Sequence, residues 1–149
     1  MEEYFFATEH AMSLYAPDIH QSPRLRRLRS DYKEMQRLVE LSDRIEMAPA
    51  GDPPDRYRIR FRCRTLADGD TAASPAIIDR SVYDIYLHRE YPRKPPMVLC
   101  RTRIFHPNIL PPDRGGTVCF GAWSPGESLA DLVLRIGEMI QYKNYDIDD

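Results

Sequence analysis

The chain has 149 residues, a length that suits one domain around one core. Hydrophobic residues make up 42% and charged residues 30%, and the net charge of −2 gives no general attraction to nucleic acid or to an anionic membrane. No apolar run approaches a membrane span. The start Met1-Glu2-Glu3, with no Lys or Arg before Arg24, lacks the basic and apolar regions of a secretory signal, so the expected compartment is the cytoplasm.

The three cysteines, Cys63, Cys100 and Cys119, are odd in number and widely spaced, which argues against a disulfide framework. His10, His20, His88 and His106 are scattered and no Cys-x-x-Cys pair exists, so neither a metal nor a cofactor is expected. The question is whether one cysteine differs from the other two.

Residues 1–22 carry Glu2, Glu3, Glu9 and Asp18 without Lys or Arg, together with Tyr4, Phe5, Phe6, Met12, Leu14 and Tyr15. They read as an N-terminal extension that folds back or meets a partner, ahead of one domain over 23–149. Ser22-Pro23 has the form of an N-cap and first helical residue. Leu25, Leu28, Tyr32, Met35 and Val39 follow in steps of three and four, which predicts a helix over 22–41. Arg24, Arg26, Arg27, Arg29, Lys33 and Arg37 occupy its other faces, as a solvated surface or a site for an acidic partner.

Pro49, Gly51, Pro53 and Pro54 mark a turn. Tyr57, Ile59, Phe61, Cys63 and Thr65 then alternate with Arg58, Arg60, Arg62 and Arg64, so a strand places Cys63 in the core and the arginines outside. Like charges on one strand face repel, so either neighbouring strands supply acids or the face binds an acidic partner. Residues 81–88 and 97–100 read as further strands, with Cys100 buried or half-buried. Ser128 and Asp131 have the spacing of a capping box before Leu129, Leu132, Val133, Ile136 and Ile140, the apolar face of a last helix. The order of helix, antiparallel strands, irregular segment and helix predicts an α+β fold.

The irregular segment carries the chemistry. Between Pro107 and Gly121 six residues are Pro or Gly, and Cys119 lies there outside any apolar periodicity. A protease-like thiol needs a positioned base, and His106, before Pro107 on a turn, suits a structural hydrogen bond at least as well. Thioester transfer asks only for an accessible cysteine, then for a donor that stabilises the oxyanion when an amine attacks. Asn108 can be such a donor.

Tyr91-Pro92-x-x-Pro95-Pro96, His106-Pro107-Asn108, Gly116-Thr117-Val118-Cys119 and Trp123-Ser124-Pro125, in this order, resemble the ubiquitin-conjugating enzyme family from about residue 24 onward. The resemblance implies an N-terminal helix, an antiparallel meander, an active-site loop and a crossover helix. It implies a thioester of a ubiquitin-like protein on Cys119, received from an activating enzyme and passed to a lysine of a target protein, with Asn108 stabilising the oxyanion or holding the loop. His106 and Pro107 would be structural, Trp123 and Pro125 would pack the loop, and Asn144 and Asp146 would position the incoming lysine. Arg24, Arg26, Arg27 and Lys33 would lie on the face that docks the activating enzyme.

The chain also departs from the family pattern. The Asn108–Cys119 stretch is longer than usual and Cys119–Trp123 shorter, and Gly121 stands where an acid is common. Arg93 replaces a Phe that binds RING-type ligases and Gly126 a common Ala, which weighs against a standard RING ligase. The two C-terminal helices of the usual domain are not expected. The chain is in this respect similar to the compact conjugating enzymes of bacterial ubiquitin-like operons, some linked to antiphage defence. The alternatives are a non-catalytic variant of the fold, an interaction module of the related RWD type, and a cysteine hydrolase without a convincing base.

Overall fold

The computed structural model describes residues 22–67 and 76–142. Helix α1 spans Pro23–Leu41, and Ser22 caps it by accepting the Leu25 N–H at 3.2 Å. Strands β1 (Ile45–Gly51), β2 (Pro54–Phe61), β5 (Ser81–Tyr86) and β6 (Met97–Cys100) form an antiparallel sheet in that order. Between β2 and β5 a short ribbon pairs β3 (Thr65–Ala67) with β4 (Ala76–Ile78). Helix α2 (Leu129–Ile140) closes the described fold, and Ser128 Oγ accepts the Asp131 N–H at 3.1 Å. The expected α+β meander is what forms. No helix among the described residues is long and apolar enough to cross a membrane.

The period-two pattern sets the sheet's faces. Ile59 lies opposite Tyr83, and Ile85 opposite Val98, all buried on the inner face. Leu28 and Met35 of α1 and the predicted apolar face of α2 complete the core, with Leu129, Leu132, Val133 and Ile140 wholly excluded from solvent. Cys63 is buried as expected, although the strand ends at Phe61 and Arg62–Arg64 only carry its alternation onward.

The arginines project from the outer face, and neighbouring strands do supply acids. Arg58 grips Asp84 of β5 through two bonds of 2.8 and 3.0 Å, and Arg101 adds a third at 2.7 Å. Arg60 and Arg62 share Glu46 of β1. The hydrogen bonds from Arg58 hold the Asp84 carboxyl below the usual carboxylate range despite its partial burial.

One feature differs from the sequence reading and a second lies outside it. Pro49 lies within strand β1, and the turn is confined to Gly51–Pro54. This edge strand is exposed from Ala48 onward, so it carries no alternation to read, and an edge tolerates proline because one side needs no ladder bond. The second is Asp31, which sits in α1 among arginines and is nevertheless buried.

Candidate functional site

Chain reversal in the segment after β6 brings its motifs together. Apart from a single 3-10 turn at Pro112–Arg114, the stretch 103–126 is irregular, as its Pro and Gly content predicts. Ile104 bridges Ala67 of β3, and His106 to Ile109 forms a tight turn closed by Ile109 N–H to the His106 carbonyl at 3.2 Å. The chain loops out through the prolines and returns beside β6. There Cys100 N–H donates to Gly116 O at 2.7 Å, and Val118 N–H to Val98 O at 2.9 Å.

Gly116 has φ +71°, and a Cβ there would stand 2.4 Å from the Cys100 carbonyl oxygen, so only glycine lets the returning chain approach this closely. Buried Ile109 and Val118 bridge each other. One residue further, Cys119 N–H donates to Asn108 O at 2.8 Å. The backbone thereby ties together the two residues singled out in the sequence, with both side chains on the exposed side. Cys119 is exposed while Cys63 and Cys100 are buried, and burial pushes the Cys100 thiol pKa up.

His106 is spent on this geometry. Its Nδ1 accepts the Asn108 N–H at 3.0 Å, which leaves Nε2–H to donate to Met139 O of α2 at 3.2 Å. The ring is thus a neutral clamp between the Asn108 turn and α2. Burial holds its pKa below 6.5. Because the unfolded chain takes up this proton first, the clamp's contribution is complete above about pH 6.5 and is lost as pH falls through the lower folded value. Urea midpoints at pH 7.5 and 5.5 should therefore differ, the acid value being lower. His106→Gln should shrink that difference while lowering the midpoint at pH 7.5.

The segment after Cys119 is held by a residue that sequence reasoning missed. Arg135 of α2 donates to Phe120 O at 3.0 Å and to Ala122 O at 2.9 Å, and pairs with Glu127 at 3.0 Å. It flanks the apolar face of α2 and is half-buried there. Trp123 Nε1–H donates to Pro92 O at 2.9 Å, and its ring lies 5.7 Å from that of Tyr91. The Tyr-Pro and Trp-Ser-Pro motifs are thus in direct contact.

The Tyr91 hydroxyl donates in turn to Asp31 Oδ2, which also accepts from Arg27 Nε at 2.9 Å, while Asp31 Oδ1 accepts the Leu129 N–H at the start of α2 at 3.1 Å. Arg27 also bonds to the carbonyls of Pro125 and Glu127, and Arg24 to Leu87 O. Of the four residues expected on a docking face, two bond inward. The guanidinium of Arg27, with its side chain 18% exposed, is committed to the fold, and Arg24 bonds inward as well. Arg26 and Lys33 remain on the open surface. Asn144 and Asp146 lie outside the described residues.

Comparison with known proteins supplies the family. A family model described as ubiquitin-conjugating enzyme matches residues 81–147. Ubiquitin-conjugating enzyme E2 16 of Schizosaccharomyces pombe is 31% identical over 126 residues, covering 82% of this chain and 72% of that protein. Ubiquitin-conjugating enzyme E2 T of Bos taurus is 27% identical over 127 residues, covering 75% of this chain and 62% of that protein. Ubiquitin conjugating enzyme E2 B of Dictyostelium discoideum is 36% identical over 66 residues, covering 42% of this chain and 43% of its own length. The chain thus spans less than two thirds of two of these three relatives. Human ubiquitin-conjugating enzyme E2 G1 superposes with a TM-score of 0.51 at 19% identity over 76% of this chain and 95% of that one, a likeness of fold. With its meander sheet, the two α-helices of its described residues and a 31% identical relative matched over most of both sequences, the chain belongs to the ubiquitin-conjugating enzyme family.

Proposed function

We propose that this chain accepts a ubiquitin-like protein from an activating enzyme as a thioester on Cys119 and transfers it to a lysine of a target protein. The observation that carries this reading is the contrast among the cysteines: Cys119 alone of the three is exposed, and it sits on a loop fixed by backbone bonds to β6 and to Asn108. In loading, the Cys119 thiolate attacks the thioester carbonyl on the activating enzyme. A new C–S bond forms, the old one breaks, and the activating enzyme's thiolate leaves. In discharge, the lysine amine attacks the Cys119 thioester, an amide forms, the amine gives up a proton, and the Cys119 thiolate leaves.

Asn108 supplies the donor for the oxyanion of that second step, and Asn144 and Asp146 position the amine. His106 shapes the Asn108 turn and takes no proton from the substrate, since both ring nitrogens are occupied. Arg26 and Lys33 serve the activating enzyme, with Arg24 and Arg27 holding the helix that presents them. Arg93 and Gly126 weigh against a standard RING ligase, and Gly121 against activation of the lysine by an acid at that position; a bacterial-operon setting with antiphage defence rests on the resemblance to compact conjugating enzymes alone. The exposure of Cys119 counts against the non-catalytic module.

Single-turnover kinetics test the assignment. Asn108→Ala should load at the native rate yet discharge to lysine about 10²–10³-fold more slowly, the usual cost of removing one oxyanion donor. Equal slowing of loading and discharge would instead assign Asn108 to loop shape, and unchanged discharge would remove it from the chemistry.

A further inference from the structure

The outer face of the sheet carries a ladder of arginines. Arg56, Arg58 and Arg60 alternate along β2, so neighbours on this face are about 6.6 Å apart at their Cα atoms. Arg62 continues the alternation, and Arg101 joins from the end of β6. Among the described residues the carboxylates paired with them are Asp55, Asp84 and Glu46, three for five guanidinium groups. All five side chains are between 46% and 62% exposed, so their unused N–H groups can meet a partner. Although the whole chain has a net charge of −2, Lys and Arg outnumber Asp and Glu among the described residues.

Along β1 the residues facing the ladder change character. Glu46 lies opposite Arg60, but Ala48 lies opposite Arg58 and Ala50 opposite Arg56. These small side chains leave a hollow of about 170 Å³ bounded by Ala48, Ala50, Arg56, Arg58, Asp84 and Tyr86. A cavity of about 150 Å³ accommodates benzene, so one pyrimidine ring fits here, with Tyr86 or a guanidinium against its face. The alanine methyls suit the 5-methyl group of thymine. A single strand of nucleic acid presents one phosphate per nucleotide at regular intervals, and the guanidinium fork matches phosphate geometry. Helices α1 and α2 pack on the inner side of the sheet, so this face has no helix to enter the groove of a duplex.

We infer that the outer face of the sheet binds single-stranded, thymine-containing DNA, with phosphates along Arg56, Arg58, Arg60 and Arg62 and one base in the hollow over Ala48 and Ala50. Charge complementarity, the regular spacing of the ladder and a hollow of base size favour this occupant over an acidic protein, whose carboxylates have no such repeat. Asp84 and Glu46 hold the guanidinium groups in place between the phosphates. The inference does not depend on thioester chemistry at Cys119.

Fluorescence anisotropy of a labelled oligothymidylate of about fifteen nucleotides, titrated with the full chain, tests this. The expected result is binding whose log K falls against log[salt] with a slope of about −2 to −3, at about −0.7 per phosphate for three or four contacts. Arg56→Gln/Arg60→Gln should weaken binding at least about tenfold at about 50 mM salt and reduce the slope by about 1.4. Arg29→Gln/Arg37→Gln, which removes the same charge from the exposed side of α1, should leave both near native. Independently of any variant, the oligonucleotide should shift the backbone amide resonances of Ala48, Ala50 and Tyr86 in the native chain. No salt-dependent binding at about 50 mM salt, an equal loss in the α1 variant, or shifts centred on α1 or the Cys119 loop would each overturn the inference. Tighter binding of the matching duplex, or of an oligouridylate of the same length, would overturn it by assigning the face to another nucleic acid.

Discussion

Asp31→Ala should cost the fold about 3–5 kcal/mol, the usual cost of removing one partner from a buried charged pair. Asp31 is 1% exposed and its carboxylate accepts from three sources: the Arg27 guanidinium, the Tyr91 hydroxyl and the first backbone N–H of α2. These belong to α1, to the Tyr-Pro turn and to the helix that follows the Cys119 loop, so one side chain joins three parts that are distant in sequence. Removing it takes the counter-charge from a largely buried guanidinium, which keeps only its bonds to neutral partners, and orphans the helix-start N–H, and both losses are costly. In urea the midpoint should fall steeply with little change in slope. Tyr91→Phe, which removes one of the three bonds, should cost about 1 kcal/mol. Asp31→Asn should lie closer to alanine than to the native chain, because an amide nitrogen cannot accept from Arg27 or Tyr91. A loss of only about 0.5 kcal/mol for Asp31→Ala, typical of a surface site, would show that the three parts hold together without it.

Gly116→Ala should disrupt the Cys119 loop more than any other single methyl added there. Two costs act together. A left-handed φ of +71° costs a residue with a Cβ about 1–2 kcal/mol, and the new methyl would lie 2.4 Å from a backbone oxygen that cannot swing aside. The chain must then lift off β6, breaking the Cys100 N–H to Gly116 O and Val118 N–H to Val98 O bonds. Gly115→Ala is the matched control. Its φ is +102°, but the nearest atom to a new Cβ is 3.9 Å away, so it should pay only the backbone cost. Hydrogen exchange at the amides of Val118 and Cys119 reads the difference directly. Strong loss of protection in Gly116→Ala beside near-native protection in Gly115→Ala is expected, and equal protection in the two variants would show that the close approach to Cys100 does not hold the loop.

The sequence announced the parts of this molecule whose burial follows a period. The alternation over Tyr57–Thr65 and the three-and-four spacing in α1 and α2 put about half of the buried apolar residues in place, Cys63 among them, although Leu25 of the α1 pattern is exposed. Strand β1 was not legible, because an edge strand exposed along most of its length has no alternation to display. Asp31 was legible in principle. Leu28, Asp31 and Met35 are spaced three and four apart, so the aspartate sits on the apolar face of α1, four residues after the Arg27 it pairs with. Its charge concealed this, since buried carboxylates are rare and the partners that make burial affordable lie 60 and 98 residues away. The reach of Arg135 to Phe120 and Ala122 was hidden because its acceptors are backbone carbonyls of an irregular segment, whose positions no residue type announces. In the Cys119 loop the residue types were visible as motifs, whereas the backbone bond between Cys119 and Asn108 depends on a chain reversal that no local pattern specifies.

The central claim is that Cys119 carries the acyl group. The most direct measurement mixes the full chain with an activating enzyme, its ubiquitin-like protein and ATP, and resolves the products on gels with and without reducing agent. The account predicts one adduct that reducing agent removes, that survives Cys63→Ala and Cys100→Ala, and that is absent in Cys119→Ala. An adduct that persists in Cys119→Ala, or none with a partner pair shown to be active, would contradict it.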